Sequence, residues 1–322
     1  MKPLIWIIDE EWPDYDLESQ ILRDKYPGCD IRRSTYDYAA DLAGFGREAD
    51  AILAQIYARI PAEAIAQLSK CKAIAVYGGG FDRVDIIAAK ARGIKVTNIS
   101  NYCKEDLADY TLAAAYFFYK NIVSLASGVK SLPWGAQAVN RPPNRLSNCV
   151  MHIIGLGRIG REVARKALAN GLTVTAYDPF VPEEVMKGHG VRWVEWDEGL
   201  GGADYVSLNC ILTEGTTRLL KYEDFQKMKP SAVVINTARG LVIDEAALVR
   251  ALEEGLIQGA MLDVIETEPP TYQEKIFSCP NACVTPHISY ISTQSYEELK
   301  RRAAGNIICA LEGGISPDLV NP

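Results

Sequence analysis

The chain has 322 residues, enough for two domains of about 150 residues each. Hydrophobic residues make up 48% and charged residues 23%, a mix that excludes a disordered or fibrous chain and supports large buried cores. With a net charge of −7 it offers no cationic surface to a phosphate backbone, so no direct nucleic-acid partner is expected. The start, from Met1 to Glu11, has too short an apolar run for a secretory signal. The longest apolar stretch, from Thr111 to Tyr119, falls short of the roughly 20 residues that span a bilayer, so no membrane partner is expected either. Eight cysteines without disulfide-framework spacing fit a reduced, cytoplasmic protein. Cys279 and Cys283 lack further ligands nearby and read as small core residues, so no metal site is expected.

Short apolar runs alternate with helical patterns along nearly the whole chain, the pattern of repeated βα units and a parallel sheet. Strands are expected at 4–8, 30–34, 51–53, 73–76 and 95–98, with amphipathic helices at 17–26, 61–68 and 84–92 between them. A long helix follows over about 105–129, where Leu107, Tyr110, Ala114, Phe117 and Phe118 recur at helical spacing on one face. The irregular segment 131–148, with Pro133, Trp134, Pro142 and Pro143, is long enough to be functional or part of an interface. The alternation then restarts with a strand at 149–154, a helix at 158–170 and a strand at 173–177. Further strands are expected at 205–208, 232–236, 260–263 and 282–285, and a last helix at about 292–311.

The sharpest local signal is Gly155-Leu156-Gly157-Arg158-Ile159-Gly160, which follows an apolar strand and opens an amphipathic helix. The next strand ends in Asp178, which completes the dinucleotide-binding fingerprint. Gly155 permits the tight turn, Gly157 lets the backbone approach a pyrophosphate, and Gly160 lets helix and strand pack closely. The backbone amides of Arg158 and Ile159 open the helix, where the dipole favours phosphate. Asp178 would accept hydrogen bonds from ribose hydroxyls; Pro179-Phe180 supplies no cation for a 2′-phosphate, so NAD is favoured over NADP. His152 lies inside a strand and reads as a core histidine, and His189, between two glycines, reads as surface.

Three polar residues each follow an expected strand further on: Arg239, Glu268 and His287. Ligands of a doubly wound sheet sit beyond the carboxyl ends of its strands, so these side chains are placed to converge on the nicotinamide end. Arginine, carboxylate and imidazole together suit reduction of a 2-oxo acid.

The segments Gly155–Gly160, Asn236-Thr237-Ala238-Arg239-Gly240, Asp263 to Pro269 and Thr285-Pro286-His287 resemble the signature blocks of the D-isomer-specific 2-hydroxyacid dehydrogenases. Residues 76–85, with Gly78-Gly79-Gly80, resemble that family's substrate-carboxylate loop. Residues 101–111 and 287–292 look most like the branch that holds the C-terminal-binding-protein corepressors, alongside the phosphoglycerate-dehydrogenase-like members. The resemblance implies an α/β fold of two doubly wound parallel-sheet domains, with the active site in a cleft between them. One is a flavodoxin-like substrate domain over 1–98 and 288–322; the other is a Rossmann NAD domain over 99–287.

It also implies that Arg239 holds the substrate carboxylate and carbonyl oxygen and that His287 is the acid–base group. Glu268 would orient the imidazole. Gly79 and Gly80 would bind the substrate carboxylate through backbone amides, with Tyr77 and Tyr290 lining the pocket. Cys210, Thr237, Ala238 and Asp263 would join the fingerprint residues around NAD. Cys210 lies in Asn209-Cys210-Ile211-Leu212-Thr213, where the family often has His-x-Pro-Leu-Thr, so side-chain contacts to the cofactor are altered there. Glu268 stands where formate-oxidising relatives carry Gln, which disfavours that substrate. The expected partners are a small 2-hydroxy or 2-oxo acid and, through the long helix and the Trp134 arm, a second copy in a homodimer. The corepressor relatives suggest an alternative, an NAD(H)-sensing regulatory scaffold; no long extension follows the last expected helix, which speaks against it.

Overall fold

The computed structural model describes residues 2–139 and 142–322. Asn140 and Arg141, inside the irregular segment read above, lie outside the described residues, as does Met1. In chain order the first part carries β1 (Leu4–Ile8), α1 (Asp16–Lys25), β2 (Asp30–Ser34), α2 (Ala39–Ala43) and β3 (Ala51–Gln55). It continues with α3 (Ala62–Gln67), β4 (Ala73–Tyr77), α4 (Ile86–Ala91) and β5 (Lys95–Thr97). Next come α5 (Lys104–Lys120), α6 (Ile122–Gly128), β6 (Val150–Ile154), α7 (Arg158–Ala169), β7 (Thr173–Tyr177) and α8 (Glu183–Gly188). Then follow β8 (Arg192–Trp193), α9 (Trp196–Gly202), β9 (Tyr205–Leu208), α10 (Tyr222–Phe225) and β10 (Val233–Asn236). The last elements are α11 (Glu245–Glu253), β11 (Gly259–Leu262), β12 (Ala282–Val284) and α12 (Thr293–Leu311).

The chain divides into two compact units: the stretch up to Cys103 together with Ile291–Pro322, and Lys104–Tyr290. Both crossings fall a few residues later than expected, for a local reason. Asn98 N–H donates to the Asp318 carbonyl (3.1 Å) and Ile99 N–H to the Gly78 carbonyl (2.8 Å), which ties that stretch to the first unit. Ile288 and Ser289 donate to Asp263, which keeps them in the second.

The first unit is a five-stranded parallel sheet in the order β2-β1-β3-β4-β5. Its central strands β3 and β4 are buried along their whole length, as the near-continuous apolar runs of a parallel sheet require. Trp6, Ile52, Ile74 and Val96 lead its core, and α12 packs on β4 and α1. Asp85 caps α4 by accepting the Ala88 N–H at 2.8 Å. Ser292 and Ser295 form a reciprocal capping box at the start of α12, with hydrogen bonds of 3.0 and 2.8 Å.

The second unit is a seven-stranded parallel sheet in the order β12-β11-β10-β9-β6-β7-β8. Its central strands show the two-residue alternation of a sheet covered on both faces. Val233 and Ile235 join the layer with Ala108, Leu112, Val163 and Ala167 of α5 and α7. Val234, between them, joins the layer with Leu200, Phe225, Leu248 and Leu252 of α9, α10 and α11. The strand order reverses between β6 and β9, so this is the topological switch point where a doubly wound sheet binds its ligand.

The helix expected over 105–129 is two helices, α5 and α6, separated by Asn121 at φ +46°. Asparagine is among the few side chains that visit the left-handed region readily, and periodicity of apolar residues carries no sign of such a break. Helix α11 was not foreseen, although Asp244 caps it (Ala247 N–H, 3.1 Å) and Leu248 and Leu252 share its inner face. No helix among the described residues is long and apolar enough to cross a membrane.

Replacing Ser292 by Ala removes the acceptor for the Ser295 N–H at the α12 N-terminus. It is expected to lower stability by about 1 kcal/mol, read as a lower urea midpoint with an unchanged slope.

Candidate active site

The fingerprint turn leaves β6 at the switch point. Gly155 sits at φ +91°, and a Cβ there would lie 2.8 Å from the Cys210 amide nitrogen, so only glycine lets the turn press against the loop after β9. A Cβ on Gly160 would lie 2.2 Å from the Gly155 carbonyl oxygen, which places the helix directly on the turn. Gly157 has nothing within 4 Å of that position: it is the open face of the turn and the N-cap of α7, with no side-chain cap. The first helix hydrogen bond runs from Arg161 N–H to the Gly157 carbonyl, so the amides of Arg158 and Ile159 lie ahead of it at the positive end of the helix. Asp178 follows β7 with its carboxylate accepting the Leu156 N–H (2.8 Å) and the Phe180 N–H (2.9 Å). The acid is thereby locked beside the glycine turn.

Sequence reading missed two residues here. Phe180 and Ile211 are 92% and 77% exposed, one on each of the two loops that touch the glycine turn. Cys210, just before Ile211 in the second loop, is half-buried, and burial pushes its thiol up to about 11. It is an inert neighbour at neutral pH. His152 is fully buried on β6, its Nδ1 3.0 Å from the Thr175 hydroxyl, and burial pushes it down to about 4. It is a neutral core side chain, and His189 is exposed.

The other polar residues line the carboxyl ends of β10, β11 and β12, three neighbours in the sheet. Asn236 ends β10 fully buried; its side chain accepts the Ala238 N–H (3.0 Å) and donates to the Arg239 carbonyl (2.9 Å). This staple sets the path of Thr237, Ala238 and Arg239 and was not foreseen as a site feature. The Thr237 hydroxyl is buried and has no partner among the described residues. Arg239 donates to the Ala238 carbonyl at 2.8 Å. A Cβ on Gly240 would lie 1.9 Å from the Ile265 carbonyl carbon, so the turn after Arg239 rests on the backbone that leads to Glu268.

Glu268 accepts the Ile265 N–H through Oε1 (3.0 Å), and its Oε2 is 3.0 Å from His287 Nδ1. Burial raises the Glu268 carboxyl, but the hydrogen bond and charge of His287, the Ile265 N–H and the Arg239 guanidinium outweigh it and hold the group below its ordinary value. His287 lies at φ +54°, and the Tyr290 ring stands edge-on to it at 6.3 Å. Asp263 is 1% exposed: Oδ1 accepts the Thr285 hydroxyl (2.7 Å) and the Ile288 N–H (2.8 Å), and Oδ2 the Ser289 N–H (2.8 Å). These visible partners belong to the His287 turn.

The remaining expected residues belong to the first unit. Gly79 is exposed after β4, its carbonyl accepting the Asn98 side chain (2.7 Å), and Gly80 follows it, half-buried. Tyr77 is a core residue: it is 1% exposed, its hydroxyl donates to Glu18 at 3.1 Å and its ring packs on Trp12 at 4.6 Å. The side chain is therefore spent on the interior of its own unit, and a place in the wall of a substrate pocket does not fit it.

Residues 112–289 match the profile of the D-isomer specific 2-hydroxyacid dehydrogenase, NAD binding domain. A glyoxylate reductase of Thermococcus litoralis is 34% identical over 280 residues, covering 85% of this chain and 84% of its own. D-3-phosphoglycerate dehydrogenase 2 of the Arabidopsis thaliana chloroplast is 32% identical over 295 residues, 89% of this chain and 46% of its own. The D-lactate dehydrogenase of Aquifex aeolicus, solved with NAD and lactic acid, superposes with a TM-score of 0.89 at 27% identity over 99% of both chains. Fold and relatives together define an NAD-dependent 2-hydroxyacid dehydrogenase. The chain belongs to the D-isomer specific 2-hydroxyacid dehydrogenase family, and NAD is its cofactor.

Because the Glu268 carboxyl titrates lower in the folded chain than in the unfolded one, its stabilisation is complete above the ordinary glutamate value near 4.3 and is lost as pH falls through the lowered folded value. The wild type is therefore expected to unfold at a higher temperature than Glu268→Gln near neutral pH. That gap should narrow as pH falls below the ordinary glutamate value near 4.3, a trend measured by thermal melts across the acid range.

Proposed function

We propose that the protein reduces a small 2-oxo acid to the D-2-hydroxy acid with NADH, and that His287 is the proton donor. The observation that carries this reading is the His287–Glu268 contact of 3.0 Å, with Arg239 beside it on the next strand ends. Glu268 accepts from Nδ1, which fixes the ring and leaves the proton on Nε2 as the one to be passed. In reduction that proton goes to the carbonyl oxygen while hydride adds to the carbonyl carbon. In oxidation the same nitrogen takes the hydroxyl proton. Glu268 holds the ring in the same orientation for both directions. Arg239 offers a planar fork of donors suited to a carboxylate and its neighbouring oxygen.

NAD, when bound, supplies the hydride or accepts it. The residues present fit that group: the open Gly157, the helix amides at Arg158 and Ile159, the locked Asp178 and the buried Thr237 hydroxyl would hold its polar parts. Phe180 and Ile211 supply apolar surface for the adenine. Gly79, exposed after β4, and the half-buried Gly80 are the backbone expected to bind the substrate carboxylate. The names of the relatives support small 2-oxo and 2-hydroxy acids as the substrate class.

We also infer a homodimer formed through α6 and the segment after it. Ile122, Val123, Val129 and the 91% exposed Trp134 present apolar side chains in succession there, more than a solvated surface ordinarily shows. Ile122→Asp is expected to sediment as a monomer where the wild type sediments as a dimer.

The activity test is loss of NADH absorbance with glyoxylate, hydroxypyruvate, pyruvate, 2-oxoisovalerate and phenylpyruvate, with NADPH in parallel. The wild type is expected to turn over with NADH on at least one acid. His287→Ala should lose about 100-fold or more in kcat while NADH binding, followed by fluorescence, stays as in the wild type. Equal loss of both would remove His287 from the role assigned to it.

A further inference from the structure

The His287 turn is held from a direction that neither the substrate nor the cofactor chemistry requires. Tyr110 lies on α5, and its hydroxyl is hydrogen-bonded to the hydroxyl of Thr285, just past β12. Thr285 spends its own proton on Asp263 Oδ1 at 2.7 Å, so the Tyr110 hydroxyl is the donor to Thr285. Asp263 then accepts the amides of Ile288 and Ser289, on the far side of His287, at 2.8 Å each. His287 N–H closes the near side on the Thr285 carbonyl at 2.9 Å. One carboxylate thus grips the turn on both sides of the imidazole, and that carboxylate is anchored to α5 through two hydroxyls in line. Burial, with the Asp263 charge adding to it, pushes the Tyr110 phenol up to about 12, so it keeps the proton it donates.

We propose that Tyr110 is a positioning residue for His287, acting through Thr285 and Asp263. The proposal rests on His287 being the acid–base group. The Tyr110 hydroxyl meets the relay at Thr285. Its ring packs with the layer that α5 buries, so Phe preserves the packing and removes only the donor. Without that donor the Thr285 hydroxyl is free to rotate away from Asp263, and the turn loses one of its fixed points. A displacement of the reacting group by a fraction of an ångström is enough to slow catalysis.

The test is a set of variants of the full chain assayed with NADH and glyoxylate, or with whichever acid of the panel above is reduced faster. Tyr110→Phe and Thr285→Val are each expected to lower kcat about tenfold, with the KM for NADH unchanged. The double variant should be no slower than the slower single one, because both break the same relay. Thr285→Ser restores the hydroxyl and should recover most of the loss. Tyr110→Phe should cost nothing further in a His287→Gln background. Wild-type kcat in Tyr110→Phe, additive losses in the double variant, or an undiminished loss on top of His287→Gln would each overturn the proposal. A drop in melting temperature with kcat intact would overturn it too, as that is what a merely structural tyrosine gives. His287→Gln turning over like the wild type would remove the acid–base reading itself, and the relay with it.

Discussion

Asp263 is a carboxylate taken almost wholly out of water at the end of β11, and burying such a group is costly unless donors surround it. The donors it gathers are the Thr285 hydroxyl and the amides of Ile288 and Ser289. None comes from its own strand; all come from the turn that follows β12. The need to satisfy one buried charge therefore dictates where that turn lies. It also accounts for the backbone of His287, held at φ +54°, a conformation that costs a non-glycine residue on the order of 1–3 kcal/mol. Hydrogen bonds to a charged acceptor contribute about 1.5–3 kcal/mol each, so the three together outweigh that strain.

The rest of the site follows from backbone contacts that leave no room for side chains. Gly240 rests on the Ile265 peptide, which brings the arginine-bearing turn after β10 against the segment leading to Glu268 after β11. The Ile265 N–H then turns Glu268 back toward His287. At the switch point, Gly155 rests on the loop after β9 and Gly160 on Gly155. The turn after β10 thus rests on the segment after β11, and the turn after β6 on the loop after β9. Polar side chains distant in sequence meet because the parallel ladders set the spacing of the strand ends and the small residues let the loops close over it.

What could be read without coordinates depended on how local the physics was. The β6-α7-β7 unit was legible almost to the residue, since turn, helix and acid all lie within one short stretch whose apolar spacing, glycines and charge agree. Strands buried on both faces were equally plain. The break at Asn121 was not, because a single left-handed residue leaves the apolar period undisturbed. Tyr77 was misread for a related reason: a tyrosine beside a glycine-rich loop looks like a pocket wall, but its hydroxyl is answered by Glu18 from α1, a partner that no local pattern announces. Tyr110 is the sharper case. Its spacing with Leu107 and Ala114 marks a helix face correctly, and its ring belongs to that face, while its hydroxyl reaches Thr285, far along the chain. Amphipathic side chains of this kind satisfy two requirements at once, and periodicity registers only one.

The imidazole is controlled by two carboxylates with separate tasks. Glu268 bonds the ring at Nδ1, so it governs tautomer and orientation. Asp263 accepts the Thr285 hydroxyl before the ring and the Ile288 and Ser289 amides after it, so it governs where the ring stands. Were one carboxylate to do both, any shift of the ring in the proton transfer proposed for it would also loosen its attachment to the fold. With the tasks divided, the ring is oriented by one acid while the turn beneath it stays pinned to β11 by the other. The two acids sit five residues apart on one segment, and the Ile265 amide that orients Glu268 lies between them. A single strand end therefore carries both controls, and the strand is fixed in the middle of three parallel neighbours rather than at the edge of the sheet.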